Sequence, residues 1–346
     1  MFDFTVVPGA AVDEILFAHR KSVVEIVRET YLLHERGETI NPDSYFLRFP
    51  EKPNARIIAL PAKLGGPVEK AGIKWIASFP DNVERGIPRA SAVLILNDFE
   101  TGYPVACLES AGISAARTAA SAATAAGALL PLINTTERPS ISFVGAGVIA
   151  RTILDYLVPS VVSPEAITVL DLDGASAEHF VAYAKRGNNV PARESKDLAE
   201  VLAGDVVVLA TTAGKPYLPD HLEFRPGQLV LNVSLRDLHP ATLLRAANIV
   251  DDIDHCLKAD TSPHLAEQLS GGRDFITGTI GQVLLGKVRL DAGRPVVFSP
   301  FGLGVLDIAV GDFVLRTASA QNRTIPIPNF FGSTVRWGAS PRPEEK

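Results

Sequence analysis

The sequence is poor in the residues that mark a metal centre, a disulfide scaffold or a nucleic-acid surface. It holds two cysteines, Cys107 and Cys256, far apart and outside any CxxC spacing. Neither a disulfide framework nor a zinc ribbon can be built from them. Seven histidines show no HxxxH or HExxH pattern, so no metal site is expected. A basic excess is missing too: 33 Lys and Arg stand against 39 Asp and Glu, a formal net charge of −6. No nucleic-acid partner is therefore expected, since such partners are met by a basic face. A few local cations can still hold a small anion. The N-terminus, MFDFTVVPGAAVDE, has no basic stretch followed by an apolar one, and no signal peptide is read. Ser110–Asn134, the longest low-charge stretch, is Ala-rich and carries Arg117, too weakly hydrophobic for a membrane span. A cytoplasmic protein without a membrane partner is the expectation.

At roughly 150 residues per domain, 346 residues suggest two domains, and 47% apolar with 21% charged residues is the balance of a globular chain. Only Ala339–Lys346, rich in Pro and Glu, reads as disordered. Apolar residues at helical spacing predict one helix over 11–36, stopped by Gly37. Short apolar runs at Ala55–Pro61, Gly72–Phe79, Ser91–Asn97 and Pro104–Leu108 then predict an antiparallel or mixed sheet, with Thr101–Gly102 in a hairpin turn. Ser110–Leu130 reads as a closely packed small-residue helix ended by Pro131.

From Ser140 the pattern changes to strands alternating with helices. Strands are expected at Ser140–Val144, Ala166–Leu170, Val206–Ala210, Leu229–Asn232 and Ile249–Asp251, and helices at Val148–Leu157 and Ser176–Ala184. The fold class is α/β: a Rossmann-type doubly wound parallel sheet inserted in a discontinuous α+β substrate and dimerisation domain. The helix near Gly304–Gln321 would return the chain to the first domain. The expected division is 1–130 with 304–346, and 131–303.

Two constellations carry chemistry. Gly145-Ala146-Gly147-Val148-Ile149-Ala150 is a GxGxxA directly after a strand and at the start of a helix. Gly145 permits the tight turn, Gly147 lets the backbone approach a pyrophosphate, and Ala150 keeps the helix close to the sheet. The helix N-terminus offers free N–H groups to the phosphates. Asp171, at the end of the second strand, stands where a ribose-binding carboxylate is expected, with Asp173 a second candidate. No Arg follows Asp171 immediately, which favours NAD over NADP. Thr211, Thr212 and Ser234, at the exits of later strands, should border the cofactor.

On the other side, Arg56, Lys74 and Arg117 sit in apolar surroundings, where unpaired charges are rare. Together they suggest an anion clamp. Singly, Arg56 reads equally as a strand-edge charge, Lys74 as the outward residue of a strand, and Arg117 as a partner of a structural carboxylate. Asp237, after the strand Leu229–Asn232, is placed for general-base work, or else to cap a helix over Leu238–Leu244.

These residues together resemble the ornithine cyclodeaminase/mu-crystallin family over nearly the whole chain. The resemblance rests on Gly72–Trp75 (GIKW), Asn97–Pro104 (NDFETGYP), Arg117–Ala120 (RTAA), Gly145–Gly147, Asn232–Asp237 and Ser299–Asp307 (SPFGLGVLD). It implies that Arg56, Lys74 and Arg117 hold the carboxylate and amine region of a small amino-acid substrate. Asp237 would be the acid/base, with Lys74 beside it in catalysis. It also implies that Gly145, Gly147, Asp171 and Gly302 bind NAD, and that the chain is a homodimer. Within the family the chain is most similar, at ARIIALP, GIKWIAS and RAS (Arg89–Ser91), to the branch that makes L-2,3-diaminopropionate for siderophores and peptide natural products. That branch oxidises N-(2-amino-2-carboxyethyl)-L-glutamate with NAD.

Departures from the family pattern are Arg89 after Gly86-Ile87-Pro88, where a Thr is frequent, and Ile149 in the glycine loop, where a Gln is frequent. A third is Leu238-His239-Pro240 in place of the Pro-Gly-Lys of the cyclodeaminases. They argue against proline formation from ornithine, and an extra cation at Arg89 suits a substrate with three carboxylates. A ketimine reductase, an alanine dehydrogenase, a true cyclodeaminase and a mu-crystallin-like binding protein without turnover are the alternatives.

Overall fold

A computed structural model describes residues 3–133, 136–188 and 190–332. The tail over 333–346 lies outside them, including the stretch read as disordered and the end of the first expected unit, as do 134–135 of the second.

Two eight-stranded sheets organise the chain. The second is all parallel, in the order Ala192–Glu194, Ile167–Leu170, Ile141–Val144, Val206–Leu209, Leu229–Asn232, Val296–Ser299, Ala247–Val250 and Ile276–Thr279. Its inner strands, ISFV, VVVL, LVLN, ANIV and VVFS, are buried at every position. A strand covered by helices on both faces reads as a continuous apolar run. The order reverses between Ile141–Val144 and Val206–Leu209, which opens a crevice at their carboxyl ends. This is the doubly wound α/β architecture expected from the alternation.

The first sheet is mixed. Lys52–Leu64, Lys70–Ser78, Ala90–Asp98 and Pro104–Glu109 run antiparallel to their neighbours, and Thr5–Val7 adds in parallel to Pro104–Glu109. The edges carry Thr39–Ile40 and Ile325–Pro326, and Tyr45–Phe49 pairs with Lys52–Leu64. Alternate residues such as Leu94 and Leu96 are buried, under the helix Gly304–Ala320 that brings the chain back from the parallel sheet. The opposite face stays half open, with Trp75 and Val93 exposed. The hairpin at Gly102 (φ 75°) closes with Asp98 N–H on Tyr103 O at 2.9 Å.

Three differences from expectation have physical causes. The helix read over 11–36 is two, Gly9–Ala18 and Arg20–Glu35, broken at His19 (φ −120°, ψ 30°). The apolar spacing runs straight through the break, and what marks it is a tertiary contact, the His19 ring set edge-on to Phe313. The Ala-rich helix Ala111–Ile133 continues through Pro131, which lies in its last turn where one lost hydrogen bond matters little. By length and composition that helix could cross a membrane, but most of it is buried in the core between the sheets. Finally, the Leu238–Leu244 segment is capped by His239, not by Asp237: the helix is Pro240–Leu244 and His239 Nδ1 accepts Ala241 N–H.

Candidate active site

Five strands of the parallel sheet end at one edge, and the loops leaving them hold the expected residues. Gly145 follows the first with φ 97°, a backbone that L side chains rarely adopt. A Cβ there would lie 2.5 Å from Ala210 O of the neighbouring strand's exit. Gly147 opens the helix Val148–Ser160 without a side-chain cap, and a Cβ on it would meet nothing within 4 Å. Val148 is exposed and Ile149 half-buried beside it. The result is an open cradle of unpaired backbone N–H donors at a helix start, which fits a dinucleotide pyrophosphate. Ala146 N–H is committed elsewhere, to Asp171 Oδ2 at 2.7 Å. Asp171 Oδ1 accepts Asp173 N–H, so this carboxylate is fixed against the glycine loop. Asp173, the second candidate, instead accepts from Ser176 N and Oγ in the first turn of the helix Gly174–Asn188.

Asp237 is fully buried at the exit of Leu229–Asn232. Its Oδ1 accepts from the Thr211 hydroxyl, the Tyr217 phenol stands close enough to influence the carboxyl, and Oδ2 has no hydrogen-bond partner. Burial pushes its pKa up to about 6, against the pull of the two hydroxyls. A carboxyl poised there can take and return a proton near neutrality. The turn before it is strained: Leu235 has φ 72°, unusual for a branched side chain. Leu235 O accepts Ser262 N–H at 2.7 Å, and Leu238 O accepts from Ser262 Oγ at 2.7 Å, so a neighbouring loop holds the turn in place. Two residues expected at the cofactor are tied into this framework: Thr211 to Asp237, and Ser234 Oγ to Leu209 O. Thr212 is exposed at the same exit.

The cations are gathered by the other sheet. Lys74 points inward, not outward, and donates to Asp307 Oδ2 at 2.7 Å and to Ser114 Oγ at 3.1 Å, with both ends of the ion pair buried. Arg117 reaches Asp307 Oδ1 at 3.3 Å, so it does pair with a carboxylate. Burial brings Lys74 down to about 8, opposed by the Asp307 charge. Arg117 also meets the last glycine-rich segment, where a Cβ on Gly302 (φ 94°) would sit 2.4 Å from Arg117 Nη1. Gly302 N–H and Phe301 N–H both donate to buried Asp251. Arg56 lies within the strand Lys52–Leu64 rather than at its edge, opposite Ser78, and Arg89 Nη1 donates to Ser78 Oγ at 3.2 Å.

Asp307, Asp251 and Tyr217 were not singled out by sequence reasoning. Asp307 alone had a local signal, an acid in the first turn of a helix within the SPFGLGVLD segment. Among the described residues no group of three or more His, Cys, Asp or Glu is placed to hold a metal.

A parallel sheet with an uncapped glycine turn and a buried carboxyl at one edge defines an α/β dinucleotide-binding protein. The sequence profile of the ornithine cyclodeaminase/mu-crystallin family matches residues 9–322, and the chain belongs to that family. It is 28% identical to the N-((2S)-2-amino-2-carboxyethyl)-L-glutamate dehydrogenase of Staphylococcus aureus, over 88% of this chain and 92% of that protein. Its fold is that of the Thermococcus litoralis Delta(1)-pyrroline-2-carboxylate reductase (TM-score 0.84, 22% identity, 94% and 99% of the two chains). It is similar also to an archaeal alanine dehydrogenase dimer solved with NAD (TM-score 0.82, 25% identity, 95% and 100%).

Proposed function

We propose that this chain is an NAD-dependent oxidoreductase that oxidises N-(2-amino-2-carboxyethyl)-L-glutamate at its glutamyl Cα–N bond. With NAD⁺ and water the products are 2-oxoglutarate, L-2,3-diaminopropionate, NADH and a proton. The observation that carries this reading is the excess of guanidinium groups beside one buried, proton-accepting carboxyl. Arg56 and Arg89 meet at Ser78 with no carboxylate paired to either among the described ion pairs. A substrate with three carboxylates supplies the missing charge. The Staphylococcus aureus relative acts on this substrate, and the archaeal relative carries NAD.

In this reading Gly147, Val148 and Ile149 present N–H groups to the pyrophosphate, and Asp171 takes the ribose hydroxyls. The Asp171 carboxylate would repel a 2′-phosphate, which supports NAD over NADP. NAD⁺, when bound, supplies the hydride acceptor. Arg117 and Lys74, braced by Asp307, hold the α-carboxylate. Lys74 has three N–H donors and two are used, leaving one for the substrate. Asp237 receives the proton of the secondary amine as the Cα–H bond breaks. It releases that proton to solvent as the proton among the products, then takes one from the water that attacks the imine carbon and returns it to the departing nitrogen. Residues 1–130 with 304–346 serve as the substrate unit and 131–303 as the cofactor unit. The outer face of the first sheet, where Ala59, Trp75 and Val93 stand in one cross-strand row with Tyr45 beside Ala59, supports a homodimer.

The test is NADH formation from NAD⁺ with N-(2-amino-2-carboxyethyl)-L-glutamate, L-alanine and L-ornithine in parallel. NADH with the first alone, with 2-oxoglutarate and diaminopropionate recovered, is the expected result. NADH with L-alanine moves the chain to the alanine dehydrogenases. Proline without net NADH makes it a cyclodeaminase, and no reaction with any removes the proposal.

A further inference from the structure

The guanidinium groups at the cleft exceed those the proposed reaction employs. Arg48 stands directly opposite Arg56 in the strand pairing, and Arg56 directly opposite Ser78. Ser78 is buried on the same face of its strand as Lys74, four residues away. Arg48, Arg56 and the tip of Arg89 therefore lie on the face that looks toward the Lys74–Asp307 pair. A fourth guanidinium arrives from the other sheet. Arg236 directly precedes Asp237, its Nη2 donates to Ala259 O at 2.6 Å, and the strained Leu235 turn fixes where it emerges.

Arg236 comes close enough to Arg56 that their like charges, with those of Arg89 and Arg48, add to burial in lowering the Arg56 pKa. Burial lowers Arg236 as well, with the Asp260 carboxylate opposing and the Arg48 charge adding to it. None of the four takes part in any ion pair among the described residues. Like charges gathered at a half-buried place destabilise the empty fold. They become favourable when an anion enters and takes charge-assisted, bidentate hydrogen bonds.

We propose that Arg48 and Arg236, sharing Arg56 between them, form a subsite for the side-chain carboxylate of the substrate's glutamyl portion. One guanidinium comes from each sheet, so the subsite measures the length of a dicarboxylic side chain across the cleft. It makes that second acid a requirement and rejects monocarboxylic amino acids, which leave the charges unanswered. The inference rests on reading the cleft as the hydride-transfer site, and it names the group that selects the substrate there.

The test uses glutarate as a five-carbon dicarboxylate probe and acetate as its monocarboxylate control. Both are titrated calorimetrically into the full chain with NAD⁺, in wild type, Arg48→Gln and Arg236→Gln. Glutarate is expected to bind the wild type at least tenfold tighter than acetate, and to lose at least tenfold in each variant. NAD⁺ affinity, measured in the same proteins, should be retained and reports that they are folded. In turnover, KM for N-(2-amino-2-carboxyethyl)-L-glutamate should rise by more than kcat falls. Glutarate that binds all three proteins alike, or binds none, overturns the subsite, even in an enzyme that turns over the proposed substrate. Loss of glutarate binding in the variants of a chain that does not oxidise that substrate keeps the subsite and removes the reaction.

Discussion

Replacing Asp237 by Asn should abolish turnover and, over one pH window, make the protein more stable. The carboxyl is fully buried and its pKa stands at about 6, against an ordinary 3.8. Between these values the folded chain keeps a proton that the unfolded chain has released. Stability contributed by this group therefore falls as pH rises through the window. At roughly 1.4 kcal/mol per pKa unit, holding Asp237 ionised costs about 3 kcal/mol at neutral pH. An Asn side chain has no such term. It can still accept from Thr211, but it places an amide N–H₂ where Oδ2 has no partner. That constant offset, on the order of 1–3 kcal/mol, does not depend on pH. The assay is urea unfolding of wild type and Asp237→Asn at intervals from pH 4 to pH 7.5. Every other titrating group is common to the two proteins and cancels in the difference. The stability of the variant relative to wild type should climb by about 2 kcal/mol from pH 4 to pH 7 and level off above. Two parallel stability curves would refute the assignment of a strained, proton-holding carboxyl. The same pKa predicts an acid limb in wild-type kcat/KM, with activity falling below about pH 6 as the base is protonated.

Other parts of the site are open to equally direct measurement. Asp307→Asn leaves Lys74 and Arg117 facing one another without their carboxylate. It should cost about 3–5 kcal/mol in urea unfolding, with much of that recovered when Lys74→Met is added. Gly145→Ala puts a methyl 2.5 Å from Ala210 O on a backbone at φ 97°; a lowered Tm and lost NAD⁺ binding by calorimetry are expected together. Asp171→Ala should weaken NAD⁺ by roughly 1–3 kcal/mol, while Asp173→Ala, which uncaps a helix, should lower Tm and leave NAD⁺ affinity nearly intact. Trp75→Asp on the open sheet face should yield a monomer in sedimentation velocity.

What could be read in the sequence is what is decided locally. A GxGxxA turn needs its glycines whatever the rest of the chain does, and strands covered on both faces must be apolar throughout; the parallel sheet and its cofactor loop follow. The pairing of Lys74 could not be read, because its partner lies 233 positions away and no spacing rule reaches that far. Asp251 and Tyr217 were hidden for the same reason: each matters only through the loop it meets in space. Tyr45–Phe49 was missed on different grounds. It is apolar at four of five positions yet largely exposed and paired along one edge, so the usual alternation of core and surface is absent.

Asp251 ends a strand of the parallel sheet and grips the backbone at Phe301 and Gly302. Two residues further on begins the helix whose first turn carries Asp307, and Asp307 in turn seats Lys74 and Arg117. In the proposed reaction, the groups that would place the substrate are thus indexed to the sheet that would place the cofactor through about one turn of chain. Small errors elsewhere in either sheet do not accumulate in the gap between the two reactants. The datum for that gap is a single buried carboxylate, and evolution can rework the outer edges of the substrate sheet, where new specificities would be cut, without disturbing the hydride path.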